Sequence, residues 1–566
     1  VTGSVPRRAT LLAGGVLLAF VLGLLLRLRL GSAEYWYNPD EGLYHQAVTT
    51  PSADEASAMV RGLVHPPLYY WILGPLVLLG EDPHTLRLPS LVAGLLAIMA
   101  FGFLGSAAGS AEEGDLGGVA GAWFGALVGA LSPALALQSV TMRQYSLQAL
   151  ALALGLGALL RYLETGRPLW LVLCGAAFTA AVLLLYTSYL VVGGAGIVLL
   201  GALVAGRLSR RQAAGLLCAF LPVLAVMAWS FVTHLKPFVI GGASHREAQE
   251  TWLHGQFVAN PVAGVTALLK ASGYAWSREL RPMVLLPVLL SVGLAGRRRR
   301  GFAAFVALTV ASLAVGLSWS GLVPLGGTRH SLYLVAVQVA AGASGVAWLV
   351  GRLSGQGRTG TELPRPRRSR LWLAGAASAL LLGSVGTRLV VLVRASTSGT
   401  IDAEDEERVI RQASIDRVSA WVRHAPQAFW ITDMQTAMLL LPLVPREGRV
   451  LVPEPAFGGR RLEALGHSFA MVWSWSLPEG PAGRNDLVEL ALSWTEGHDG
   501  GPEGRVGVIT GGWGTSAAWR LARDLRARGQ EAAVIGAVGD ERLAAVVVEV
   551  EALRAWRARH SQGKLR

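Results

Sequence analysis

The chain has 566 residues, 52% of them hydrophobic and only 15% charged, where a soluble domain carries about 25% charge. That balance excludes an ordinary soluble enzyme. The net charge of +13 does not point to nucleic acid, because the basic residues cluster between apolar segments, where charge sets membrane orientation.

Eleven segments read as spanning helices, at about 10–28, 86–107, 117–137, 145–162, 169–187, 189–206, 213–233, 282–296, 301–319, 330–351 and 371–393. The first has the basic start and small-residue end of a cleaved leader. Its apolar stretch is longer than the roughly 7–15 residues of such a leader. Arg27 and Arg29 also interrupt the approach to Ala33, so the segment reads as a retained anchor. The two cysteines, Cys174 and Cys218, both lie in apolar runs and read as small packing residues, not a disulfide framework.

Charge gives the orientation. Arg161 and Arg167, "GRLSRRQ" at 206–212, "GRRRR" at 296–300 and the basic stretch 351–370 all fall on the side of Arg7 and Arg8. The positive-inside rule makes that side cytoplasmic and predicts an integral, multi-pass protein of the inner membrane. The opposite face then holds residues 29–85, the turn at 138–145, the long stretch 234–281, the turn 320–329 and everything after about 394. "HPPLYYWILGPLVLLG" at 65–80 is apolar but slightly short, and as a span it would reverse every later loop. It reads as a helix on the outer membrane surface, with Pro66 and Pro67 at its start.

The predicted fold class is therefore a polytopic α-helical membrane protein with a C-terminal extracytoplasmic α/β domain. The membrane domain covers 1–395, including a first outer loop at 29–85 with interfacial helices, and the outer domain covers 396–566. In the latter, "AFWITDM", "GRVLVP", "GRVGVITGG" and "LAAVVVEV" read as buried strands. "DEERVIRQASIDRVSAWVRH" and "TSAAWRLARDLRARG" read as amphipathic helices.

The outer face gathers the chemistry. "EYWYNPDEGLYHQA" at 34–47 places Asp40 beside Glu41 among aromatic residues, at the rim of the membrane. Carboxylates near lipid are costly and tend to be functional or paired. The plain alternative is a solvated pair, with Asp40 as N-cap of a short helix. The same face carries His65, Arg143, Tyr145, Arg329 and His330. Cations at an aromatic-rich rim suit a lipid-linked phosphate, and a nearby carboxylate suits a general base acting on a hydroxyl.

The order "PDEGLYHQA … HPPLYYW … RLPSLVAGLLA … MRQYSLQALALA … TRHSLYL" resembles the GT-C glycosyltransferase group, over about residues 10–350. Protein O-mannosyltransferases and lipid A aminoarabinose transferases belong to that group. The resemblance implies a fold of about 11 transmembrane helices. It implies transfer of a sugar from a polyprenyl-phosphate donor to an envelope glycan, lipid or protein acceptor, on the non-cytoplasmic face and with inversion. By that similarity Asp40 is the catalytic base or orients the acceptor, and Glu41 is its neighbour in the site and a candidate metal ligand. His65, Arg143, Tyr145 and Arg329 contact the donor phosphate. A divalent metal cation is a candidate cofactor, and no nucleotide cofactor is expected. Membrane lipids are partners and nucleic acid is not.

One position departs from the pattern. Many relatives read "S-x-E-A-R-x-Y", whereas "SVTMRQY" has Thr141 where the acid would stand. Glu41, Asp54, Glu55 or Glu279 substitutes for it, or the chain works with one acid. His234, His245 and His254 follow no metal-binding spacing and read as solvated loop residues. "VGVITGGWGTSAAW" lacks the G-x-G-x-x-G spacing and reads as a tight strand-to-helix turn. Three rival functions stand beside the transferase. One is a ligase or polymerase using a lipid-linked oligosaccharide, another a lipid-linked sugar transporter or flippase, and the third a non-catalytic relative that binds envelope polymers. A transporter would carry ionisable groups near the middle of its spans, where this sequence has almost none.

Overall fold

The structure is a computed structural model. It describes residues 5–31, 39–49, 66–236, 256–295, 301–354 and 383–391, then 412–425, 428–433, 436, 450–454, 459–464, 467–472, 504–511, 516–527, 530–531, 534–539 and 543–563. The chain divides into two compact units. The first comprises Val1–Ser32, Ala53–Gly80 and His84–Ala403; the second comprises Ala33–Ser52, Glu81–Pro83 and Glu404–Arg566.

The helices in chain order are α1 (Val5–Gly31), α2 (Pro39–Thr49), α3 (Leu68–Leu76), α4 (Pro83–Leu131), α5 (Pro133–Ser139), α6 (Tyr145–Thr165), α7 (Pro168–Leu184), α8 (Ser188–Val204), α9 (Arg210–Ser230), α10 (Pro261–Ala295), α11 (Phe302–Trp319) and α12 (Leu334–Ser354). Residues 383–391, in the last predicted span, are helical as well. Among the described residues, 6 helices are long and apolar enough to cross a membrane, or up to 7 if the bent pair formed by Leu116–Leu131 of α4 and by α5 is one span. The chain is thus a multi-pass membrane protein. Most of the expected span at 371–393 lies outside the described residues, and two other expected spans fall short of that criterion on length. Helices α7 and α8 have 17 residues each, about 25 Å at 1.5 Å per residue, against a hydrocarbon core of about 30 Å.

Helix α4 combines two predicted spans. A Cβ on Gly105 would strike the carbonyl of Gly121, one on Gly109 that of Gly117, and one on Gly125 that of Phe101. Residues 105 and 121 would lie about 24 Å apart on a straight helix, so the chain doubles back between Pro83–Ser110 and Leu116–Leu131. Glycines let the two backbones meet where lipid offers no hydrophobic drive.

Three expectations need correction. The span at 117–137 is broken at Ser132, with α5 bent by 61° from the arm before it. Pro133 opens α5, and the Ser132 hydroxyl caps it by accepting from the Leu135 N–H at 3.3 Å. The stretch 234–281 is not all loop, because α10 starts at Pro261 and is kinked at Ser277. Lys270 and Ser272 interrupt its apolar run, which hid it in the sequence. Cys218 is exposed on α9, whereas Cys174 is buried.

Trp71 on α3, Trp229 on α9 and Trp319 on α11 are all exposed. Exposed tryptophans of this kind are typical of the aromatic belts at membrane–water interfaces.

Among its described residues the second unit carries a mixed seven-stranded sheet ordered β2-β3-β4-β1-β5-β7-β6. The strands are β1 (Phe429–Asp433), β2 (Val450–Glu454), β3 (Gly459–Ala464), β4 (His467–Val472), β5 (Arg505–Gly511), β6 (Val534–Gly539) and β7 (Leu543–Glu549). Strand β1 lies parallel to both β4 and β5, and the remaining pairs are antiparallel. Its helices are α13 (Gln412–Arg423), α14 (Ala517–Ala527) and α15 (Val550–Gly563). The apolar core joins Val506 and Val508 of β5, Val546 and Val548 of β7, and Leu521 and Leu525 of α14.

Candidate functional site

In the helical unit, three of the sequence motifs converge on one turn. Arg143 lies on the segment between α5 and α6 and is buried. Its backbone N–H donates to the Thr141 carbonyl at 2.9 Å and to the Ser90 hydroxyl at 3.3 Å. The Ser90 hydroxyl donates to the Arg143 carbonyl at 2.8 Å. That contact uses the only proton of Ser90, so the Tyr69 hydroxyl, 2.9 Å away, donates to Ser90. Tyr69 of "HPPLYYW", Ser90 of "RLPS" and Arg143 of "MRQY" thus form one chain of bonds. Neither Tyr69 nor Ser90 stood out in the sequence as a site residue.

The second arginine-bearing turn meets the first. Arg329, His330 and Ser331 form a 3-10 turn ahead of α12. The His330 ring packs edge-on against Tyr145, with centroids 6.4 Å apart. Tyr145 opens α6 and is fully buried. The loop bearing Arg329 is tethered by the Leu325 N–H to the Gln256 carbonyl at 2.8 Å and by Thr328 to the Gln256 side chain at 3.3 Å. Arg143, Tyr145 and Arg329 therefore sit on two turns in mutual contact.

Asp40 and Glu41 belong to the second unit. Helix α2 starts at Pro39, which makes Asp40 its second residue and not an N-cap. The rigid φ of Pro39 suits the first helical position. Glu41 is fully buried, as are Tyr44 and His45, so it is not a surface carboxylate. His45 Nε2 lies 3.0 Å from the Glu81 carbonyl oxygen. A carbonyl only accepts, so Nε2 carries the proton. His65, Asp54 and Glu55 fall outside the described residues.

Thr141, at the place of the missing acid, donates its hydroxyl to the Gln138 carbonyl at 3.4 Å. Glu279 has partners of its own. It accepts from the Ser277 hydroxyl at 2.7 Å and lies 3.8 Å from the buried guanidinium of Arg388. Ser277 has φ 56°, a strain of about 1–3 kcal/mol for a non-glycine residue. Flanking bonds hold it: Trp276 Nε1–H to Gln338 at 2.6 Å and Ser132 to the Ala275 carbonyl at 2.6 Å.

Burial alone would raise the Glu279 carboxyl, but the Ser277 hydroxyl, its own backbone N–H and the charges of Arg388 and Arg278 outweigh it and hold it below the ordinary 4.5. A depressed carboxyl adds stability above its unfolded value, and this is lost as pH falls through the lower folded value. Glu279→Gln should therefore melt below wild type at pH 7, with the gap closing as the pH drops below about 4. Thermal unfolding in detergent measures this, and a gap constant down to about pH 3 would contradict the ion pair's role.

His234 lies on a π-helical turn, Phe231–Leu235, with its ring edge-on to Trp229 at 5.6 Å, and is not a loop histidine. His245 and His254 fall outside the described residues. Among the described residues, no group of three or more His, Cys, Asp or Glu side chains is placed to hold a metal ion. The residues described do not fit such a group. At the strand-to-helix turn of β5 and α14, Ala518 N–H donates to Thr510 at 2.8 Å and Trp519 N–H to Ser516 at 3.2 Å. Two amides of the helix start are thus capped by its own chain, and the turn at 512–515 lies outside the described residues.

No family model and no curated protein sequence matches the chain. Solved structures do. ArnT from Cupriavidus metallidurans in its apo state, a lipid A aminoarabinose transferase, shares 15% identity over 95% of this chain and 99% of that one, with TM-score 0.50. The Archaeoglobus fulgidus oligosaccharyltransferase, solved in complex with Zn and sulfate, shares 12% identity over 87% of this chain and 67% of that one, also with TM-score 0.50. The likeness at these identities is one of fold, and the fold is that of the GT-C membrane glycosyltransferases.

Proposed function

We propose that the protein is a membrane glycosyltransferase that moves a sugar from a polyprenyl-phosphate donor to an acceptor hydroxyl on the non-cytoplasmic face, with inversion. The observation that carries this reading is the contact between two arginine-bearing turns, through Tyr145 and His330, in a chain of this fold. A buried arginine on a clamped backbone is a pre-organised ligand for a phosphate, and its planar fork suits that geometry.

In this reading Arg143 and Arg329 bind the donor phosphate, with Tyr145 fixing the wall between them. His65 adds a further phosphate contact. The Asp40 carboxylate takes the proton of the acceptor hydroxyl as its oxygen attacks the anomeric carbon. The bond from that carbon to the phosphate oxygen breaks, and the electron pair leaves with the polyprenyl phosphate, whose growing charge the two arginines offset. Glu41, buried beside Asp40 in sequence, sets the local field of the pair. Residues 396–566 form the outer domain and contact the acceptor.

A donor panel tests the proposal. Purified protein should release sugar from a polyprenyl monophosphate donor in the presence of envelope extract, and leave nucleotide sugars untouched. Transfer from a diphosphate-linked oligosaccharide alone would replace this reading with the ligase. No transfer from any lipid donor would sink both.

A further inference from the structure

We propose that Arg27, on the first spanning helix, is a positioning residue that fixes the Arg143 turn through the break between α4 and α5. The inference rests on the reading of Arg143 as a phosphate ligand. Arg27 is 1% exposed, an expensive placement for a guanidinium inside a membrane bundle. Among the described residues, its hydrogen bonds all go to uncharged acceptors. Nε donates to the Ser139 hydroxyl at 3.1 Å, Nη1 to the carbonyls of Gly23 at 3.1 Å and Ala130 at 3.4 Å, and Nη2 to that of Gly129 at 3.3 Å.

The identity of those carbonyls gives the reason. In an unbroken helix Gly129 would accept from residue 133, but Pro133 has no N–H. Ala130 would accept from Ala134, which lies beyond the 61° bend. The end of α4 therefore presents orphan carbonyls and the negative pole of a helix dipole. A guanidinium fork answers both. The remaining arm of the fork holds Ser139, the last residue of α5, and the Arg143 turn follows at once.

Room for this contact is built in. A Cβ on Gly94 would collide with the Ser139 hydroxyl and stand 3.3 Å from Arg27 Nε. Gly94 lies in the "RLPSLVAGLLA" stretch, four residues after the Ser90 that clamps Arg143 from its other side. Ser132 and Gln138 tie α5 to the Ala275 carbonyl and to Tyr274 at 2.6 and 3.5 Å. Of all these contacts, Arg27 alone grips both sides of the break.

A double-mutant cycle on the full-length purified protein tests this, with polyprenyl monophosphate as the binding probe and thermal unfolding recorded for each variant. Arg27→Met should weaken binding about tenfold, the scale of one lost charge-assisted contact. Arg27→Lys should recover part, since an ammonium keeps the charge but not the fork. In an Arg143→Ala background, Arg27→Met should change binding by less than about twofold, because the two act through one turn. Equal losses in both backgrounds, or none in Arg27→Met, would overturn the positioning role. Normal binding by Arg143→Ala alone would overturn the phosphate reading and this proposal with it. If Arg27→Met does not fold, Ser139→Ala, which removes the Arg27 Nε contact along with the Ser139 bonds to Leu135 and Ser146, takes its place in the same cycle with the same criteria.

Discussion

Asp40→Asn should lower sugar transfer by about 100-fold or more, the usual worth of a positioned general base. The substitution keeps the side chain's size and removes its charge. Its effect on folding should be small. Asp40 is the second residue of α2, behind Pro39. An acid in the first turn of a helix gains about 0.3–1 kcal/mol from the helix dipole. Glu41→Gln should behave in the opposite sense. Glu41 is fully buried, so replacing it disturbs a buried polar group and should show first as a lower melting temperature, with the smaller loss of turnover. Single-turnover transfer from a labelled donor, with donor binding and melting measured on the same samples, separates the two effects. Near-normal transfer by Asp40→Asn would move the chemistry to another acid.

Arg143→Ala and Arg329→Ala should each weaken use of the lipid donor by about 1.5–3 kcal/mol, roughly 10- to 150-fold in affinity. The Arg143 variant should show the larger loss. Its backbone is clamped on both sides by Ser90 and Thr141, so little ordering entropy is spent when its side chain binds. Arg329 is only half-buried and its loop depends on Gln256 for anchorage. Lysine at either position should restore part of the binding. Two alanine variants that both transfer sugar at the normal rate at limiting donor would remove the proposed phosphate site.

Much of this arrangement was legible in the sequence, for reasons that differ by element. The strands β1, β2, β5 and β7 stand out as apolar runs. β3, with Arg460, Arg461 and Glu463, and β6, with Gly536, do not. Gly536 is needed because a Cβ there would run into the Trp421 ring, and Gly507 is needed likewise against Trp430. Those are contacts between elements distant in sequence, which local pattern cannot reveal. The break at Ser132–Pro133 did carry a signal, a turn-favouring Ser-Pro pair, but apolar flanks masked it. Long-range polar bonds were least legible. Arg27 read only as a charge that interrupts the approach to Ala33, and nothing near it in sequence points to Ser139. Arg143 and Arg329 were recognisable as a pair of outer cations, whereas the Tyr69–Ser90–Arg143 chain depends on three separate elements meeting.

The measurement that bears most directly on the central claim is a proteoliposome assay with a radiolabelled polyprenyl-phosphate sugar and an acceptor extract supplied on the side of residues 396–566. Covalent transfer of the label to acceptor, with release of free polyprenyl phosphate and its abolition in Asp40→Asn, is the result expected of a transferase whose chemistry lies at the membrane rim. Movement of intact labelled lipid between leaflets with no label on any acceptor would contradict it and make the protein a transporter.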